Sequence, residues 1–125
     1  MSLCQSVGFR APGGVRVETE PCPTPEAGQV LVKSTVSAIS AGTELLVLRG
    51  QTPSDLSVDD SLGALTGTSF EFPIRYGYAV VGRVIALGAD VPAEWLGRRV
   101  FAFNPHQGHF LAQPAELLPV PNEVS

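Results

Sequence analysis

The sequence predicts a mainly β domain, a closed or partly open β-barrel of about six short strands with one or two short helices. Three observations lead there. The chain has 125 residues, 44% hydrophobic and 16% charged, which suits a single core over residues 1–125 and leaves no room for a second domain. Thirteen glycines and eleven prolines interrupt it too often for long helices. Between these breaks lie short runs rich in valine, leucine and isoleucine, some with the two-residue alternation of a half-buried strand.

The elements follow in order. Val15 to Glu20, VRVETE, alternates apolar with polar and reads as a strand, which PCPTPEAG then ends. QVLVKSTVSAIS, from Gln29, is rich in β-branched residues and is the clearest strand in the chain. AGTELLVLRG predicts a short helix with Thr43 as cap, Glu44 at the positive end and Gly50 as the stop. Gln51 to Phe70 is polar and reads as a solvated segment; Leu62, Ala64 and Leu65 offer one more helical turn. Its Asp55, Asp59 and Asp60 lack the glycine and glutamate spacing of a calcium loop. YAVVGRVIALG, from Tyr78, is a strand in which Gly82 marks a bend or a close backbone approach. Arg99 to Phe103, His109 to Gln113 and Leu117 to Val120 are three further short strands.

Composition excludes several classes of function. Eight basic and twelve acidic side chains give a net charge of −4, spread thinly, so nucleic acid and membrane surfaces are not expected partners. No apolar run is longer than that of Leu45 to Leu48, far short of a membrane span, and MSLCQSVGFR lacks the apolar centre of a signal peptide. A cytoplasmic protein is expected, with Cys4 and Cys22 as reduced, packing thiols. No Gly-x-Gly-x-x-Gly turn, Walker loop or Gly-x-Ser-x-Gly elbow is present. Taken singly, Ser40 and Thr43 read as capping residues and Tyr78 as a packed aromatic. His106 and His109 in NPHQGHF read as loop hydrogen-bonding groups with no third metal ligand in view.

Taken together, the segments resemble a known family. EAGQVLVKSTVSAISAGTELLVLRG is similar to a second-strand region running into a Cys-Gly-Thr-Asp helix start. FPIRYGYAVVGRVIALGADV is similar to a Pro-x-x-x-Gly-His-Glu-x-x-Gly-x-Val segment, and WLGRRVFAF with GHFLAQPAELLPVPNEV to a Gly-Asp-Arg-Val strand and a Gly-x-Phe-Ala-Glu stretch. In that order the four resemble the N-terminal GroES-like domain of the medium-chain dehydrogenase/reductases, the zinc-type alcohol dehydrogenase relatives. The Ser-Ala-Gly-Thr-Glu and Gly-Tyr variants resemble the subgroup of bacteriochlorophyllide and threonine-dehydrogenase-like oxidoreductases.

The resemblance implies a GroES-like, partly open barrel and NAD(P)-linked chemistry on alcohols or carbonyls. Where zinc-dependent members carry ligands, this sequence has Ser40 or Ala41, and Tyr78 and Ala79, so no catalytic metal is expected. NPHQ stands where a structural zinc lobe would be inserted. Thr43 resembles the family's proton-relay hydroxyl, Ser40 and Glu44 flank it on the cofactor side, and Tyr78 or His106 supplies a proton. Ser40, Thr43, Tyr78 and His106 are expected to converge on one cleft at the barrel edge. Family members continue into a Rossmann domain about where this sequence ends at PNEVS. The chain is therefore expected to bind no cofactor by itself and to be inactive alone, its partner being that domain or, for a non-catalytic binding or assembly module, a second copy.

Overall fold

The computed structural model describes residues 3–39, 41–49, 75, 77 and 79–121, and the readings made above for Ser40, Gly50, Gln51 to Phe70 and Tyr78 lie outside them. Among the described residues the chain forms seven strands, one α-helix and two short 3-10 turns, at Ala93–Trp95 and Pro114–Glu116. Strands β1 (Leu3–Ala11) and β2 (Gly14–Pro21) form a hairpin. Strands β3 (Val30–Ala38), β4 (Ala79–Leu87), β5 (Arg99–Ala102), β6 (His109–Ala112) and β7 (Leu118–Pro119) form a second sheet in the order β6-β3-β4-β5-β7. The two sheets do not close into one barrel; the fold is the partly open form. Helix α1 (Ala41–Leu48) follows β3. No helix among the described residues is long and apolar enough to cross a membrane.

The core belongs to the larger sheet. Val30, Val32, Val80, Val84 and Val100 are fully buried side by side, with Phe110, Ala112 and Leu117 around them. Branched side chains fill the space between pleated strands at little entropic cost, because their first torsion is already restricted. β3 is paired on both sides, with β4 and with β6, and it runs from this core at Val30 to an exposed end at Ser37 and Ala38. Gly82 faces it across the ladder: a Cβ there would stand 2.6 Å from the Lys33 carbonyl oxygen. The close approach expected at Gly82 is thus a strand-to-strand one.

Two expectations are corrected. Helix α1 begins at Ala41, so Thr43 lies within its first turn instead of capping it, while Glu44 does sit in that turn, where the helix dipole favours a carboxylate. Cys4 and Cys22 are joined in a disulfide, their Cα atoms 5.0 Å apart. The reason is register: β1 and β2 pair Cys4 with Glu20, which brings the residue just beyond the end of β2 back beside Cys4.

Gly82→Ala is expected to lower stability by about 1–3 kcal/mol, since the obstructing atom is backbone and cannot step aside. Gly42→Ala, at an exposed position with nothing within 4 Å, should leave stability unchanged or raise it. Urea denaturation of the two variants checks the pair.

Candidate functional site

One loop joins the two sheets. Between β5 and β6, the buried Asn104 donates its side-chain amide to the Pro105 carbonyl and to Gln107 Oε1, both at 2.9 Å, which fixes the turn NPHQ. The loop is then tied to β1 and β3 by backbone bonds. Val7 N–H donates to the His106 carbonyl at 2.9 Å, Gly108 N–H to the Gln5 carbonyl at 2.7 Å, and Ser34 N–H to the Gly108 carbonyl at 2.8 Å. A β-bridge between Ser6 and Gln107 completes the seam. Gly77 lies against it, where a Cβ would stand 2.8 Å from the His106 amide nitrogen and 3.0 Å from its ring.

This anchoring aims the His106 ring at the end of β3 and the start of α1. His106 Nδ1 lies 2.7 Å from Ser37 Oγ, and Nε2 makes a short contact with Glu44 Oε1. Both members of the His106–Glu44 pair are almost wholly enclosed, their side chains 11% and 6% exposed. In a neutral imidazole facing a carboxylate, which only accepts, Nε2 carries the proton toward Glu44 and Nδ1 accepts from the Ser37 hydroxyl. Beside these groups is a cavity of about 410 Å3, walled by Val7, Phe9, Val15, Leu45 and Leu48, with Ser37, Glu44 and His106 as its polar corner. A histidine held by a carboxylate on one nitrogen and a hydroxyl on the other is able to accept a proton through the hydroxyl and return it.

Of the residues singled out in the sequence, the structure brings His106 and Glu44 together. Thr43 precedes Glu44 on α1, but its side chain, like Ser40 and Tyr78, lies outside the described part. Ser37 carried no signal, being one hydroxyl in a β-branched run. His106 and His109 diverge: His109 begins β6, opposite Lys33 of β3, and burial, then the Lys33 charge, hold its imidazole below the ordinary histidine range. The third partner that the sequence did not offer His109 is present in space, where Cys4 and Cys22 stand beside it.

Neither a protein-family model nor a curated protein matches the chain. Solved structures do. An alcohol dehydrogenase from E. coli CFT073, complexed with NADH, superposes with a TM-score of 0.76 over 100% of this chain and 40% of its own, at 17% identity. The fold is the one this enzyme carries over the matching part of its chain, as the GroES-like resemblance in the sequence implies. A quinone oxidoreductase from Coxiella burnetii superposes with a TM-score of 0.70, 19% identity, over 99% of this chain and 39% of its own. The human synaptic vesicle membrane protein VAT-1 homolog-like protein does so with a TM-score of 0.72, 20% identity, over 99% and 37%. The chain thus spans well under half the length of the solved chains it matches.

His106→Ala is expected to lower stability by about 1.5–3 kcal/mol, because the buried Glu44 carboxyl loses its hydrogen bond to the ring. In a Glu44→Gln background the same substitution should cost less by about 1 kcal/mol or more, read from a double-mutant cycle of denaturation curves.

Proposed function

We propose that this chain is the substrate-side unit of an NAD(P)-linked oxidoreductase of alcohols and carbonyls that works without zinc at the family's catalytic positions and is inactive alone. The observation that carries this is the Ser37–His106–Glu44 chain at the polar corner of an apolar cavity. Interconversion of an alcohol and a carbonyl moves a hydride and a proton. The nicotinamide, held by a second unit, supplies or removes the hydride. In the oxidation direction Ser37 takes the substrate's hydroxyl proton while passing its own to Nδ1 of His106, and Glu44 stabilises the imidazolium that results. In the reduction direction the same protons return to the carbonyl oxygen. Thr43 and Tyr78 are placed in this reading as further donors toward that oxygen, and Ser40 as a cofactor contact.

The donor set supports the zinc-independent part: Ala41 and Ala79 offer no ligand atom, and hydroxyls at Ser40 and Tyr78 are poor substitutes for thiolate and imidazole. Every strand pairing among the described residues is antiparallel, so none of them builds the parallel βαβ unit that cradles a dinucleotide's phosphates. The cavity suits the reacting end of a substrate.

A second use of the same fold, self-association, is favoured by one observation. Val15, Val17, Val36 and Ile39 are each more than half exposed, and Val15 and Val17 share one face of β2. Gel filtration at several protein concentrations reads it out.

Titration with acetophenone, an aromatic ketone, should move the backbone amide resonances of Val7, Ser37, Leu48 and His106 saturably. Ser37→Ala should weaken that binding severalfold, and calorimetry with NADPH should show no saturable heat. Ketone-induced shifts confined to other surfaces, or none, would overturn the assignment of the cavity.

A further inference from the structure

Apart from the relay, three ligating residues meet that the function above does not use. Cys4 and Cys22 close the hairpin at one end, and His109 is brought beside them because the Gly108 N–H is bonded to the Gln5 carbonyl. The two sulfurs and a ring nitrogen of His109 all lie within 4.8 Å of one another. His109 Nδ1 is buried and has no hydrogen-bond partner among the described residues. An orphaned nitrogen on a ring that stands beside two sulfurs is costly unless a partner meets it. Next to Cys4 and His109 opens a cleft of about 360 Å3, lined also by Glu20, Arg75 and Asn104.

We propose that in the reduced chain Cys4, Cys22 and His109 form a binding site for a zinc-class divalent ion, and that the disulfide is the alternative, oxidised state of the same site. The donor chemistry selects the metal: two thiolates and one imidazole suit Zn2+, with the cleft providing a fourth position for water. Ligand atoms of a tetrahedral zinc site stand roughly 3.6–3.8 Å apart, given bonds of about 2.3 Å to sulfur and 2.0–2.1 Å to nitrogen, so the cluster needs side-chain rotation only. The two states exclude each other. A dithiol reductant delivers two electrons and two protons to the Cys4–Cys22 bond and is itself oxidised to a disulfide; the metal ion then displaces both thiol protons as it binds. The site is separate from the family's catalytic metal positions, and it stands whether or not the relay reading holds.

The test uses Co2+ as a spectroscopic substitute. Chain reduced with dithiothreitol and desalted anaerobically is expected to bind one equivalent of Co2+, with thiolate-to-cobalt charge-transfer absorption and tetrahedral visible bands, both bleached by Zn2+. The oxidised chain should show neither. His109→Gln should weaken Co2+ binding by roughly tenfold or more, whereas His106→Gln should leave it unchanged. Circular dichroism of each variant guards against unfolding, and the comparison of reduced with oxidised wild-type chain stands without any variant. Absence of the charge-transfer band in a chain with two titratable thiols would overturn the proposal. So would Co2+ binding that His109→Gln does not change.

Discussion

The structure depends on how one four-residue turn, NPHQ, fastens the β1–β2 hairpin to the larger sheet. Among the described residues the two sheets share no strand ladder; they share the bonds from Val7 to the His106 carbonyl, from Gly108 to the Gln5 carbonyl and from Ser34 to the Gly108 carbonyl, and the bridge at Ser6 and Gln107. Each bond satisfies a backbone group that would otherwise be left without a partner at the seam between two sheets. The turn cannot shift without releasing several of them together. Proline at 105 restricts it further, and Asn104 stitches it from inside.

That rigidity allows two histidines three residues apart to serve two different places. His106 sits in the loop and turns toward β3 and α1; His109 has entered β6 and turns toward the cysteines. A side chain used for proton transfer must be held in one orientation to be of use, and here backbone bonds hold the loop while Glu44 and Ser37 hold the ring. The helix contributes through its start: Glu44 in the first turn is favoured by the dipole, which helps offset the cost of enclosing a carboxylate.

Much of the fold was legible in the sequence, and the gaps have physical causes. β3 and β4 announced themselves because every buried position in them is apolar or glycine. β1 did not: its inward positions include Cys4, Ser6 and Gly8, small or polar residues that leave no hydrophobic alternation to read. The disulfide was missed because it depends on the register of that unread strand. At the site, His106 and Glu44 were each visible as polar residues near element ends, but a sequence separation of 62 hid their contact. Ser37 had no signal, since a hydroxyl at the exposed end of a strand looks like any other until a ring is placed against it.

The account rests on the direction of the hydrogen bonds through His106. Long-range proton–nitrogen correlation spectra of its neutral ring decide that direction. The account predicts a single fixed tautomer, with the proton on Nε2 toward Glu44 and Nδ1 as a bare acceptor from Ser37. A proton resident on Nδ1, or a ring averaging between the two tautomers, would contradict it.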